Sequence, residues 1–559
     1  MITFNYLFDQ VKLYKKSIII ANIVAIIITI LSVPIPLFIP HVIDEIVLGK
    51  EGSFVALVAQ FIEISSPVYY IVIIFVLTII LRLVATILSI FRKAIISEVA
   101  ESIRFEIRKK LLTHLKFVLM SEYDTLGSGE TVSKMTTDIN TLYDFVSESI
   151  GNILVQLFTL TGYSIVLFYL NWKLALIILI MNPLVILFFI KIFKQVAKLL
   201  KERNSSVAKF QNGLTESLEL FNQIRVQNRE GFFISMVNKS AKEIGEKNHT
   251  LKVGNDKSMS LARLAIRFSM DIFRVLALYY VLVGEMSIGE MLAIFVYVGL
   301  ILVPIHMILQ FLQSFHDTKE AMDRLNDILR LQTEEQYEMK IDPFEGQKTA
   351  SIELKDVSFA YDENREILDK FSLKIEAGDK VAITGETGSG KSTLANILMG
   401  LYPISSGEIL YNGVEVKEVG YKKIRENIGF VLQSPLMFNA TLRYNLSLGK
   451  EYSDEEMYEA LKIAQLYDFV DDLPNKLDTI VGKNGTKLSG GQRQRLSIAR
   501  VLLDKPKVII FDESTSSLDM QTEDRLLEAL DEYIQDKTVI TIAHRQTTID
   551  KADRVINLV

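Results

Sequence analysis

Long apolar runs fill the first 312 residues of the chain and give way to a different pattern after them. Six runs are long enough to cross the hydrocarbon core of a membrane as helices, which takes roughly 20 mostly apolar residues. They cover residues 18–39, 68–90, 150–170, 174–192, 264–284 and 288–312. Buried helices of a soluble protein would not be this long and this numerous, so the pattern predicts a six-helix, all-α transmembrane domain over residues 1–317.

Two polar connections in this region are too long to be simple loops. Periodic apolar positions in 93–118 and 194–257 predict that the spans continue as helices beyond the membrane. Each connection has a polar break, at 122–138 and at 216–230. We expect a short helix at the tip of each helical hairpin, where it can contact a separate domain; a solvated turn is the alternative.

From Ser351 the pattern changes to short β-branched strands, glycines and helices, which is typical of an α/β domain. Residues 318–350 are charged and poor in apolar runs, and they are predicted to be a linker. The predicted fold class is therefore a multidomain membrane protein, with an α/β domain over 351–559 after the transmembrane domain.

Composition and charge narrow the possible functions. The absence of cysteine excludes disulfides, zinc–thiolate sites and thiol catalysis, and a net charge of −6 gives no reason to expect nucleic acid as a partner. The two long connections hold eight and fifteen Lys and Arg residues, whereas 41–67 holds only Lys50 and 284–290 holds none. Because basic loops stay in the cytoplasm, both termini and the α/β domain are predicted to be cytoplasmic, in a multi-pass protein of the cell (cytoplasmic, or inner) membrane.

The segment GETGSGKST follows an apolar strand at 381–384 and precedes a helix. In this setting glycines let backbone N–H groups wrap phosphates at the helix N-terminus, Lys391 neutralises the phosphates and the Ser392 hydroxyl binds Mg²⁺. The predicted ATP-binding residues of this segment are Gly385, Glu386, Thr387, Gly388, Ser389, Gly390, Lys391, Ser392 and Thr393. Further on, four apolar residues and Asp512 predict a buried strand that delivers a carboxylate to the metal, and Glu513 is suited to polarise the attacking water.

A further motif, LSGGQ, identifies the family that the chain resembles. It comprises Leu488, Ser489, Gly490, Gly491 and Gln492. This is the signature of ATP-binding cassette (ABC) proteins, and six spans followed by one cassette resemble a half-size exporter of the type IV, ABCB-like architecture. The resemblance covers the whole chain.

The resemblance assigns roles to four more residues. It implies that Tyr361 stacks on adenine, that Gln433 contacts Mg²⁺ and faces the membrane domain, that Asp519 belongs to the D-loop and that His544 is the switch histidine at the γ-phosphate. It also implies a dimer, because the signature of one cassette closes over ATP bound to the other. The intact Glu513, signature and His544 favour a homodimer, and a heterodimer stays open.

Two features depart from the family pattern. The segment before the signature, TIVGKNG, has Ile480, Lys483 and Asn484 where relatives carry the glutamates and arginine of the X-loop, so charge-based contact with the membrane domain is in question. The chain also ends at Val559 inside a predicted strand that relatives continue, so we expect a shortened C-terminus.

Charged and polar residues within the spans give the only indication of a substrate. Arg82, Asp271, Arg274 and His306 are candidates for a polar, net-basic cavity that suits an amphipathic or anionic substrate. The alternative is a structural Arg–Asp pair, or groups already outside the bilayer. The predicted function is an ATP-driven exporter or flippase of a lipid, hydrophobic compound or peptide, working in the lipid bilayer with ATP and Mg²⁺. An importer on the same fold, for instance of a siderophore, and a regulatory ABC ATPase are the alternatives.

Overall fold

A computed structural model of the chain describes residues 1–60, 66–361, 366–386, 388–513, 520–543, 545 and 549–558. It divides into two compact units. The membrane unit comprises residues 1–109 and 133–326, and the cassette unit comprises residues 110–132 and 327–559.

The first 330 residues are helical almost throughout. The α-helices are α1 Phe4–Leu13, α2 Lys15–Ser32, α3 Phe38–Pro40, α4 Ser53–Ala59, α5 Pro67–Leu115, α6 Met120–Thr125, α7 Ser128–Ser133, α8 Ile139–Asp144, α9 Gly151–Leu170, α10 Trp172–Glu219, α11 Phe221–Val226, α12 Glu230–Leu282 and α13 Ile288–Arg330. Three π-helical stretches, at His41–Val47, Lys134–Asp138 and Phe145–Ile150, and a 3₁₀ turn at Ile35–Leu37 interrupt them.

Within the described residues, four helical stretches are long and apolar enough to cross a membrane. They are Lys15–Val47, Pro67–Leu115, Gly129–Leu170 and Ile288–Arg330. The other two predicted spans lie within α10 and α12. The α12 stretch carries three charged residues, Arg267, Asp271 and Arg274, and side chains at 182–193 of α10 lie outside the described residues. The count of six spans therefore stays a prediction.

Several helices are much longer than a membrane is thick. At a rise of 1.5 Å per residue, the 53 residues of α12 span about 80 Å, against roughly 30 Å of hydrocarbon. Helix α10 packs along α12, and Lys247 and Glu202 pair across them at 2.9 Å. The short helix α11 lies at the turn between them, and the short helices α6 and α7 occupy the first polar break, as the sequence pattern predicts.

The cassette unit combines two sheets with helices. Its strands are β1 Ile352–Ala360, β2 Glu366–Ile375, β3 Lys380–Gly385, β4 Ser406–Tyr411, β5 Val414–Glu415, β6 Ile428–Val431, β7 Val508–Asp512, β8 Thr538–Ile542 and β9 Arg554–Leu558. Its helices are α14 Lys391–Leu398, α15 Val416–Val419, α16 Tyr421–Asn427, α17 Leu442–Ser447, α18 Asp454–Ile463, α19 Tyr467–Asp471, α20 Gly490–Leu503 and α21 Met520–Tyr533, with 3₁₀ turns at Lys476–Asp478 and Lys483–Gly485.

The two sheets differ in direction. Strands β2-β1-β4-β5 form an antiparallel sheet, and strands β6-β7-β8-β3-β9 form a parallel one. Every residue of β7 is buried, as expected for a parallel strand covered on both faces. In such a sheet the carboxyl ends of all strands meet at one edge, where ligands bind. The predicted nucleotide-binding motifs follow β3, β6 and β7 at that edge.

The segment predicted as a linker is partly helical and partly packed on the cassette. Residues 318–330 continue α13, because Ala321, Met322, Leu325 and Ile328 form a buried apolar stripe with helical spacing. The remainder is anchored by Phe344, whose side chain is fully buried in the cassette core.

Candidate nucleotide site

The loop between β3 and α14 is shaped for close approach to a ligand. Gly388 and Gly390 have φ of +90° and +93°, a region that only glycine adopts without strain. A Cβ at Gly390 would lie 2.5 Å from the side chain of Ile367, so a larger residue would displace β2. Gly388 and Gly390 therefore place no side chain between their own backbone N–H groups and a phosphate.

Lys391 begins helix α14 and its side chain is buried. Its ammonium donates hydrogen bonds to the carbonyl oxygens of Gly385 and Glu386 at 2.9 and 2.7 Å. The loop is thus closed around its own lysine, which keeps the charge at the position where the sequence predicts phosphates. Within the described part of the chain, the buried hydroxyl of Ser389 has no hydrogen-bond partner, as expected for a group that awaits a ligand.

The ends of β6 and β7 bring two predicted residues together. Gln433 and Glu513 are 80 positions apart, and the Gln433 amide donates to the Glu513 carboxylate at 2.6 Å. Glu513 has φ of +44°, a left-handed conformation that costs a non-glycine residue energy and that re-aims its side chain as β7 ends. Its N–H donates to the carbonyl oxygen of Ile542 at 3.2 Å, which holds the turn. Asp512 is the buried last residue of β7.

The oxygen atoms at this edge suit a hard cation such as Mg²⁺. Mg²⁺ prefers octahedral oxygen ligands, and in phosphate sites it takes one or two carboxylates and completes its shell with phosphates and water. Ser392, Gln433 and Asp512 offer a hydroxyl, an amide oxygen and one carboxylate. The described residues include no cluster of three His, Cys, Asp or Glu side chains that could hold a metal without a phosphate.

Tyr361 lies beside the loop. Its hydroxyl is 2.9 Å from the hydroxyl of Thr393, and its ring meets those of Phe359 and Tyr402 edge-on at 5.1 and 5.5 Å. The side chain is 46% exposed, so ring surface is available for stacking. The contact with Thr393 links this aromatic residue directly to the phosphate loop, a link that motif spacing does not reveal.

The signature segment caps helix α20. Ser489 is the N-cap: its hydroxyl accepts from the N–H of Gln492 at 3.2 Å, and the Gln492 side chain accepts from the N–H of Ser489 at 2.7 Å. This capping box fixes the entry of the chain into α20, with Leu488 buried beneath it and Ser489 exposed. Gln492 thus has a local structural task. Of the remaining predicted site residues, Thr387, Asp519 and His544 lie outside the described residues.

Comparison with known proteins agrees with this geometry. Residues 18–305 match the family model of the ABC transporter transmembrane region, and residues 368–516 match the ABC transporter family model. The chain belongs to the ABC transporter family. It is 29% identical to YgaD of Bacillus subtilis over 98% of this chain and 93% of that protein. It is 31% identical, with the same coverage, to a protein of Staphylococcus aureus strain NCTC 8325. Both relatives are named as candidate multidrug export ATP-binding/permease proteins.

A solved structure supports the fold. The chain aligns with a bacterial Atm1-family ABC exporter with ATP bound, at a TM-score of 0.78 and 23% identity, over 98% of this chain and 93% of the other. Membership confirms the predicted order of a transmembrane domain and an ABC cassette, and it confirms the predicted ATP-driven transporter with ATPase activity. This ABC transporter is a multi-pass membrane protein that binds ATP, and its half-transporter architecture implies a dimer in a lipid bilayer.

In this ABC transporter, the segment before the signature, which departs from the family pattern, contacts neighbouring parts of the cassette. Ile480 forms an isolated antiparallel bridge with Thr441 and is 52% exposed. Arg493 of α20 donates to the carbonyl oxygens of Gly485 and Leu488 at 3.3 and 2.8 Å, which ties this segment to the signature. Sequence reasoning missed Arg493, although its position next to the signature was a usable signal.

The candidate substrate residues of the transporter separate into different environments. Arg82 lines an open groove of about 1000 Å³ whose walls are mostly aliphatic side chains of α2, α5 and neighbouring segments, together with Tyr163. Asp271 and Arg274 pair with each other within α12 at 2.9 Å and are both more than half exposed, and His306 of α13 is exposed. The observed pair is thus a contact within one helix rather than a bond that ties two helices together.

Proposed function

We propose that two copies of this chain form an ATP-driven exporter of amphipathic compounds, with two equivalent ATP sites. The observation that carries the proposal is the hydrogen bond between Gln433 and Glu513 beside the phosphate loop, because it joins two catalytic candidates in one chain. An intact signature in the same chain supports two equal sites in a homodimer, since each site then takes LSGGQ from the partner copy.

Each residue at the sheet edge has a role in this proposal. Loop N–H groups and Lys391 bind the phosphates of ATP, Tyr361 stacks on the adenine, and Ser489 with its glycines closes over the γ-phosphate from the partner copy. Ser392, Gln433 and Asp512 hold Mg²⁺, which neutralises developing charge on the phosphates when bound.

Glu513 accepts the proton of the attacking water, as phosphoryl transfer requires a group that orients the nucleophile. Gln433 holds that carboxylate in place through its 2.6 Å hydrogen bond. Asp519 and His544 complete the site by motif position, the first at the dimer interface and the second at the γ-phosphate. ATP binding draws the cassettes together and hydrolysis releases them, which is a two-state domain closure.

The substrate proposal rests on the groove that Arg82 lines. An open, mostly apolar groove of about 1000 Å³ with a cationic side chain suits an amphiphile that carries a negative charge, such as a phospholipid or a fatty acid derivative. The export named in the relatives supports the outward direction, and the basic connections support a cytoplasmic cassette. The domain boundaries at 317 and 350 and the six spans belong to the same proposal.

ATPase measurement in reconstituted lipid tests this function. Purified protein is assayed with anionic, zwitterionic and cationic amphiphiles of equal chain length, with the size of the oligomer recorded. We expect the anionic compounds to stimulate a homogeneous dimer, and we expect Arg82→Gln to remove that stimulation while basal hydrolysis persists. Stimulation by cationic compounds alone, retained in Arg82→Gln, would refute the substrate class. Hydrolysis that no compound changes would favour a regulatory ATPase.

A further inference from the structure

Two backbone segments of the cassette unit pair with each other outside both sheets. Val118 and Thr333 form an isolated antiparallel bridge. The N–H of Leu119 donates to the carbonyl oxygen of Gln332 at 2.9 Å, and the N–H of Glu334 donates to that of Phe117 at 2.7 Å. We call residues 117–119 and 332–334 the ribbon. It joins the ends of the two long helices α5 and α13, both of which carry predicted membrane spans.

The ribbon is bound to the cassette through one arginine of α16. Arg425 donates to both carboxylate oxygens of Glu334, at 2.7 and 3.3 Å. The pair is mostly shielded from water, with side chains 31% and 19% exposed. Such two-pronged, charge-assisted contacts are stronger and more directional than ordinary surface ion pairs.

The same guanidinium also holds the end of the nucleotide-binding helix. Arg425 donates to the carbonyl oxygens of Met399 and Gly400, which follow the last turn of α14. Helix α14 begins with Lys391. Only an arginine presents enough donors in a fixed plane to satisfy a carboxylate and two carbonyls together.

Helix α16 is connected to the catalytic edge as well. It ends at Asn427, and β6 then runs over 428–431, two residues before Gln433. Tyr421 of α16 packs so closely on Gly400 that a Cβ there would lie 2.3 Å from its ring. A displacement of α16 therefore acts on both the phosphate helix and the strand that positions Gln433.

We propose that Arg425 and Glu334 form a coupling contact that transmits the nucleotide state of one cassette to α5 and α13 of the same chain. The inference rests on the proposed function, because it requires ATP-driven switching of the membrane domain. Arg425 acts as a positioning residue: it touches neither ATP nor the attacking water in this account. The ribbon leads directly into α6, because Leu119 is the N-cap of that helix, and we expect the ribbon to move with α16 as one body.

The absence of cysteine makes a direct experiment possible. Glu51→Cys introduces one spin-label site per copy, at an exposed position in a connection predicted to lie outside the cell. The distance between the two labels is measured by pulsed electron paramagnetic resonance, with and without ATP. The protein also carries Glu513→Gln, so that bound ATP is not hydrolysed. Glu334→Gln then removes the carboxylate charge, while Arg425 keeps its bonds to the carbonyl oxygens of Met399 and Gly400. Glu376→Gln is the matched control, because it breaks an exposed ion pair with Lys374 on β2.

We expect ATP to shift the label distance in the parent and in the control. In Glu334→Gln the equilibrium between the two conformations should move about fivefold toward the nucleotide-free one, a typical size for a coupling contact. ATP affinity, and hydrolysis measured with Glu513 restored, should stay within about twofold, since no group that touches ATP changes. A full ATP-dependent shift in Glu334→Gln would overturn the inference, and so would an equal loss of ATP affinity, which indicates a merely structural role.

A disulfide tests whether the ribbon moves as one body. Bridged residues of antiparallel segments lie within the Cα separation that a disulfide spans, so Val118→Cys with Thr333→Cys should close on oxidation. We expect the oxidised protein to switch as the reduced one does. Switching that stops on oxidation and returns on reduction would overturn a rigid ribbon. If the parent dimer itself shows no ATP-dependent shift, the proposed function fails and this inference fails with it.

Discussion

Replacement of Glu513 by glutamine separates water activation from every other task of the site. The carboxylate accepts a hydrogen bond of 2.6 Å from Gln433, and the side-chain carbonyl of glutamine can accept the same bond. The turn is held by the backbone of Glu513, whose N–H donates to Ile542, so it does not depend on the side chain. The change therefore removes one negative charge and one proton acceptor and leaves the geometry of the edge intact.

The size of the expected rate loss follows from the role of Glu513 as a general base. A positioned general base contributes about 10²- to 10⁴-fold to a rate, so loss of Glu513 should raise the barrier by about 3–5.5 kcal/mol. ATP affinity should be unchanged or higher, because a carboxylate near the γ-phosphate repels it. The expected result is thus a fall in turnover of at least about 100-fold with ATP binding preserved.

The assay is phosphate release by the reconstituted protein, with ATP binding measured separately by a fluorescent analogue. Glu528→Gln is the matched control, since it removes an exposed carboxylate of α21 from the same unit. Its turnover should equal that of the unchanged protein. Turnover of Glu513→Gln within about threefold of the unchanged protein would refute the role of Glu513 as base. A parallel loss of ATP binding would show that the side chain serves the fold or the nucleotide instead.

Two further predictions concern the cassette unit. Tyr361→Ala should raise the KM for ATP several-fold with kcat little changed, because a stacking contact binds ground and transition states alike; a lower kcat at saturating ATP would contradict this. Asp342 pairs with Lys423 at 2.8 Å and holds the linker. Burial raises the pKa of Asp342, but the hydrogen bonds from Lys423 and the Phe344 N–H outweigh it, and the pKa is lowered overall. The stabilisation that the charged Asp342 contributes is present above the ordinary pKa of an aspartate. It is lost as pH falls through the lowered pKa of Asp342 in the folded protein. The difference in Tm between the unchanged protein and Asp342→Asn should therefore be constant from neutral pH to about pH 5 and shrink below about pH 4. A Tm difference that already shrinks near neutral pH would contradict this role of Asp342.

The order of the motifs was sufficient to predict that these segments meet at one edge of the parallel sheet. Glycines, Lys391 and the apolar run before Asp512 each determine their local conformation, and a parallel sheet brings their ends together. The contact between Gln433 and Glu513 follows from that topology, although the two residues are 80 positions apart.

Other features depend on contacts that no local pattern reveals. The bonds of Arg425 to Glu334 and to the end of α14 join segments distant in sequence, and in the sequence Arg425 is one basic residue of a charged helix. The helical part of the predicted linker was missed because charged residues surround its apolar stripe at 321–328. Asp271 and Arg274 pair with each other along α12, which spacing alone allows but does not establish, and their place in a substrate cavity stays a prediction.

Directional movement of an amphiphile across the bilayer is the activity proposed for this transporter, and it can be measured directly. Proteoliposomes carry fluorescent phosphatidylglycerol, and ATP added outside reaches only the copies whose cassettes face outward. Loss of the probe from the outer leaflet is followed by its accessibility to dithionite. We predict ATP-dependent movement away from the cassette side in the unchanged protein and none in Glu513→Gln. Movement toward the cassette side would indicate an importer, and ATP hydrolysis without movement of this probe or of any compound that stimulates hydrolysis would contradict transport.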